Sequence, residues 1–203
     1  MRVRPLFYLY HYNPRPKTSR NLPEFFALFC TADQPASCIN ALLGHAEEDK
    51  TGRGNLFCLI ESPDQKRVDK PTSPTASEDL KTGFKGWSTD QLGKFCKEKF
   101  DHDNPRSQPP YISDENFAVL DERTLKDGTV LLVRYSSWME RINPDDPSDA
   151  DDAFRHLEGY RTVRAKRKAA PELMFITPGI DIDEVISHLR PEDNGVWRAP
   201  EEE

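Results

Sequence analysis

The chain has 203 residues, of which 31% are charged and 36% hydrophobic, with 17 prolines and a formal net charge of -7. That length suits one domain of about 150 residues with insertions, and the mean hydropathy of -0.76 indicates polar loops diluting an ordinary core. The acidity disfavours attraction to phosphate backbones or anionic membranes unless charge is segregated along the chain.

No run approaches the roughly eighteen apolar residues of a membrane span. The opening MRVRPLFYLYHYNPRP is broken by histidine and proline before a secretory apolar region forms. A soluble cytoplasmic protein with no membrane partner is the expectation. Within the opening, LFYLYHY between Pro5 and Pro14 predicts an N-terminal strand or arm, residues 1–24. FFALFCT, residues 25–31, is the first run apolar enough for a buried strand. Asp33 and Pro35 then open a helix in which Ile39, Leu42, Leu43 and Ala46 share one face. NLFCLIE, residues 55–61, is the second strand.

Residues 62–84 contain two Ser-Pro steps and almost no large apolar side chain. Such a segment has little burial with which to offset its ordering entropy, so it reads as a disordered insertion. Structure resumes at Trp87. Ser88 and Gln91 form a capping box, Trp87 and Leu92 a hydrophobic staple, and Leu92, Phe95, Cys96 and Phe100 the stripe of the helix that follows. The densest apolar and β-branched stretch is NFAVLDERTLKDGTVLLVRY, residues 116–135, two strands flanking a charged loop at 121–128. An acidic loop at 143–152 precedes YRTVRAKRK and ELMFIT, read as a strand pair. Asp181, Glu184, Ile182, Val185, Ile186 and Leu189 mark a last helix, with a polar tail beyond.

This order predicts an α+β fold: a mixed, mostly antiparallel sheet with about three helices packed mainly on one face. The expected division is an arm at 1–24, one domain at 25–190 carrying the insertion at 62–84, and a tail at 191–203. Cys30, Cys38, Cys58 and Cys96 show neither a CxxC pair nor metal-ligand spacing, and read as reduced structural thiols. No metal or cofactor is implied.

FFALFCTADQPASCINALL, NLFCLIE, STDQLGKF, FAVLDERTLKDGTVLLV, YRTVRA and IDIDEVI, in that order, resemble a small domain-of-unknown-function family of bacteria and fungi. The most specific feature is an apolar strand, D-E-x-T, a short gap and a second apolar strand. The resemblance covers residues 25–189 with 62–84 as an expansion, and it implies no activity.

Two places carry candidate chemistry. At the centre, Asp121, Glu122, Arg123 and Arg134 are candidate catalytic residues, with Asp121 paired to Arg123 or Arg134 as an ion pair or as an acid/base poised by burial. The competing reading makes Asp121 an acceptor of backbone N–H groups, Thr124 a turn residue and Asp127-Gly128 the turn back. The second place is the basic run Arg161, Arg164, Lys166, Arg167 and Lys168, with Tyr160 interleaved. It suits phosphate or RNA contact, or else a sheet edge protected by charge. The acidic loop lacks the glycine and terminal glutamate of a calcium site. HExxH, GxSxG and a phosphate-binding glycine loop are absent.

The expectation is therefore an interaction module for an unknown protein or small-molecule partner. The alternatives are a small transferase or cyclase acting on a charged or aminoacyl-type substrate, and RNA contact through 161–168.

Overall fold

In the computed structural model, the described residues are 25–47, 55–66, 68, 70–78, 80–100, 112–141, 154–176 and 196–197. The expected N-terminal strand, the acidic loop and the helix at 181–189 lie outside them. Strand β1 (Phe25–Cys30) is apolar on both sides. Phe26, Leu28 and Cys30 face one cluster with Ile39, Leu42 and Leu43 of helix α1 (Ala36–Glu47). Ala27 and Phe29 face a second cluster with Leu92 and Cys96 of helix α2 (Thr89–Phe100). A strand covered on both faces reads as a continuous apolar run, which is why it stands out in the sequence.

The sheet runs β2-β1-β3-β4-β5-β6. Strand β2 (Phe57–Ile60) and β3 (Ile112–Leu120) flank β1, both parallel to it. Helix α3 (Glu122–Asp127) then turns the chain into β4 (Thr129–Arg141), antiparallel to β3. Strand β5 (Phe154–Lys166) pairs antiparallel with β4 over its full length. Helix α4 (Ala170–Ile176) follows, and β6 (Val196–Trp197) adds a short parallel edge. The protein is thus α+β with a mixed sheet. Among the described helices, α1 and α4 pack on one face and α2 on the other, where Phe84 and Trp87 join it.

The cap of α2 forms as its sequence specifies. Ser88 N–H donates to Gln91 Oε1 at 2.9 Å, and Gln91 N–H to Ser88 Oγ at 3.3 Å. By contrast, ELMFI, residues 172–176, is not a strand: it lies in α4, and the antiparallel partner of β5 is β4. Leu173 N–H donates to Ala169 O at 3.1 Å. Pro171 stands in the first turn, where its missing N–H costs nothing. A short apolar run fits a buried helix as well as a strand.

The described residues of 62–84 are also not a loose insertion. Thr72 N–H donates to Phe57 O at 2.9 Å, and Leu59 N–H donates to Thr72 Oγ1 at 2.8 Å, so the segment covers the outer edge of β2. Asn55 Nδ2 holds Thr72 O, and Ala76 N–H reaches Asn40 Oδ1 of α1 at 2.8 Å. At its end Phe84 is wholly buried, with its ring 4.9 Å from that of Phe29. The edge of β2 is thereby closed to strand pairing.

Thr72→Val removes only a hydroxyl and leaves Leu59 N–H without an acceptor. The expected loss is about 1–3 kcal/mol in denaturant unfolding. An unchanged midpoint would mean that 70–76 is not anchored to β2 in solution.

Candidate functional site

Because β1 and β3 are parallel neighbours, their carboxyl ends emerge together, with Thr31 N–H donating to Leu120 O at 2.9 Å. From β1 the chain leaves through α1 on one face; from β2 it returns to β3 through α2 on the other. In open sheets, a reversal of winding of this kind marks the gap between neighbouring strand ends where ligands bind. Gln34 spans it. Its Nε2 donates to Asp121 O at 2.8 Å, the residue is only 8% exposed, and its Oε1 is buried with no hydrogen-bond partner.

Asp121 caps α3. Its Oδ1 accepts from Thr124 N–H at 3.0 Å, while Asp121 N–H donates to Thr124 Oγ1 at 3.0 Å. Its carboxylate also forms an ion pair with Arg164. Burial raises the Asp121 carboxyl, but the Arg164 guanidinium and the Thr124 donors outweigh it and hold it below the usual carboxylate range. Gly128 closes α3 at φ 69° and ψ 21°, the left-handed region. A Cβ there would also meet Arg167 Nη2 at 3.0 Å. Arg167 Nε donates to Gly128 O at 3.2 Å, and its Nη1 lies 3.3 Å from Cys38 Sγ in the first turn of α1. Asp127 binds Thr129 Oγ1 at 2.6 Å and Arg123 Nε at 2.8 Å. Burial raises its carboxyl, yet Thr129 and Arg123 bring it down to about 2.

The central acid is therefore paired with Arg164, not with Arg123 or Arg134. Arg123 joins Asp127 on the outside of α3, and Glu122 is exposed. Arg134 faces Asn116 and Arg161 across the sheet, three residues beyond the Leu131 that faces Arg164. At about 3.4 Å per residue it stands about 10 Å along the strand from the crevice. The backbone-acceptor reading of Asp121 holds, and so does the Gly128 turn.

In the basic run, Arg164, Lys166 and Arg167 all donate to the α3 region, Lys166 Nζ to Asp127 O at 3.3 Å. Lys168 is exposed and Arg161 partly buried. Tyr160 does not offer a free ring for a base. It lies against Gly93 of α2, where a Cβ would come 2.0 Å from the ring, and its hydroxyl is buried without a partner. Burial, with Cys96 and Tyr135 nearby, pushes its hydroxyl well above the ordinary range.

The four thiols are free and buried. Burial pushes Cys30 and Cys58 up to about 12, far from any thiolate role near neutrality. Cys38 differs in touching a guanidinium. Neither Gln34 nor the Cys38–Arg167 contact was singled out by sequence reasoning. Their one signal is position, in the D-Q-P-A-S-C turn between a buried strand and a helix.

Among the described residues, no group of three His, Cys, Asp or Glu side chains gathers as metal ligands, and no helix is long and apolar enough to cross a membrane. Comparisons with protein families, curated proteins and solved structures gave no match.

Asp121→Ala removes the cap and strands the Arg164 charge, so a loss of about 1–3 kcal/mol is expected in chemical denaturation. An unchanged midpoint would place Asp121 outside the framework. The pH dependence has a definite sign. A carboxyl depressed in the folded state stabilises fully above its ordinary value of about 3.9, and that contribution is lost as pH falls through the folded value. For Asp127 the window runs from about 4 down to about 2. Asp127→Asn should make Tm fall less steeply across that window than in the parent, and equal slopes would contradict the assignment.

Proposed function

We propose that the protein is a binding module for a small polar molecule seated in the crevice between the β1–α1 loop and the start of α3. The observation that carries this is Gln34. An amide buried to this degree with an unused acceptor costs about 1–3 kcal/mol unless something donates to it. It stands where the sheet topology opens a crevice. Binding through the β2 edge has less support, since residues 70–76 occupy that edge.

A transferase or cyclase centred on Asp121, Glu122, Arg123 and Arg134 has less in its favour. Both Asp121 oxygens already accept hydrogen bonds, and Arg134 lies away from the crevice. RNA contact through Arg161, Arg164, Lys166, Arg167 and Lys168 is weakened by the engagement of three of these side chains with α3. Membership of the domain-of-unknown-function family remains part of the proposal and rests on motif order.

The test is a thermal-shift screen of metabolites on the parent and on Gln34→Leu. A hydrogen-donating ligand of this crevice stabilises the parent, by about 2.7 kcal/mol at a hundred times its Kd, and stabilises Gln34→Leu less. A hydrogen-donating ligand that stabilises both proteins equally places the site elsewhere and overturns the proposal.

A further inference from the structure

We infer that the crevice takes an oxyanion carrying a hydroxyl or amino group: a carboxylate or phosphate held by Arg167 at the first turn of α1, with the neighbouring hydrogen donated to Gln34 Oε1. This rests on the crevice being the binding site and adds the chemical class of its ligand.

The charges around the crevice point to an anion. Arg164 is neutralised by Asp121, Lys85 by Asp33, and Arg123 by Asp127. Arg167 is different: its acceptors are the Gly128 carbonyl and Cys38 Sγ, and no carboxylate among the described residues reaches it. A guanidinium in that state is a fork suited to a carboxylate or phosphate. The helix it touches has the matching end. The first turns of α2, α3 and α4 contain Asp90, Glu122 and Glu172, whereas that of α1 contains no acid, so its positive end is left uncompensated.

Gln34 supplies the independent observation that a ligand is expected there. It immediately precedes Pro35, whose carbonyl accepts from Cys38 N–H at 2.9 Å. Its Nε2 is committed to Asp121 O, so the remaining atom is an acceptor. An anion placed directly against that acceptor would be repelled, so the anion sits at Arg167 and the group beside it, facing Gln34, carries a hydrogen. Gln34 lies two residues before α1 and Cys38 in its first turn, which brings the acceptor and the cation that touches Cys38 to the same end of one helix.

The experiment titrates sulfate, at constant ionic strength set with chloride, into the parent, Arg167→Gln, Arg167→Lys and Gln34→Leu, reading Tm. Sulfate has no proton to offer, so the expected result is a rise in the parent and in Gln34→Leu, a partial rise in Arg167→Lys, and none in Arg167→Gln. A rise in Arg167→Gln equal to the parent's, or none in the parent, overturns the anion assignment. Glycerol 3-phosphate against propyl phosphate then tests the hydroxyl. Calorimetry should give about tenfold tighter binding of the former to the parent, the weight of one hydrogen bond, and equal binding to Gln34→Leu. Equal affinities in the parent overturn that half. If neutral compounds stabilise the parent through Gln34 while Arg167→Gln behaves as parent, the crevice stands and the oxyanion assignment fails.

Discussion

The burial of β1 and β3 on both faces governs the rest of the molecule. Phe29 meets Phe84, Phe95 and Phe117 edge-on at 4.9, 5.9 and 5.7 Å on the α2 side, while Phe26 and Leu28 meet the α1 side. Such ring pairs add about 0.5–1.5 kcal/mol each beyond the area they bury. With no wet face at its centre, the sheet leaves its central polar groups only the strand ends. There the parallel strands stop, and Gln34, Asp121, Thr124 and the cations of β5 collect.

That polar rim is built by reach. Arg164 sits opposite Leu131, and its guanidinium passes over β4 to the Asp121 carboxylate just beyond β3. The Asp121 cap, the Gly128 turn and the Arg164 pair then fix α3 as one unit, since removing one partner strands a half-buried charge. Arg167 rests on the same turn but has no counter-charge among the described residues. The difference between these two neighbouring arginines separates a structural cation from one with donors to offer.

What was legible in the sequence was local. The Ser88–Gln91 box and the Gly128 turn depend on residues within a few positions, and the buried strands on continuous apolar runs; all are present. What was not legible depends on register. The partner of Asp121 is 43 residues away and becomes its neighbour only once β4 and β5 are aligned. The anchoring of residues 72–76 comes from Thr72, Asn55 and Asn40, single polar contacts that a count of apolar area passes over. ELMFIT was ambiguous because four apolar residues carry no period. Gln34 carried no signal in the sequence because an orphaned acceptor exists only in three dimensions.

The most direct measurement is an amide NMR titration of the 15N-labelled protein with inorganic phosphate, following the backbone and the Gln34 side-chain NH2. Saturable shifts confined to residues 34–38, 121–124 and 167, with the Gln34 NH2 pair among them, are the expected result. Shifts centred on residues 161–163 and 168, or a response that does not saturate, would contradict a ligand site at the carboxyl ends of β1 and β3.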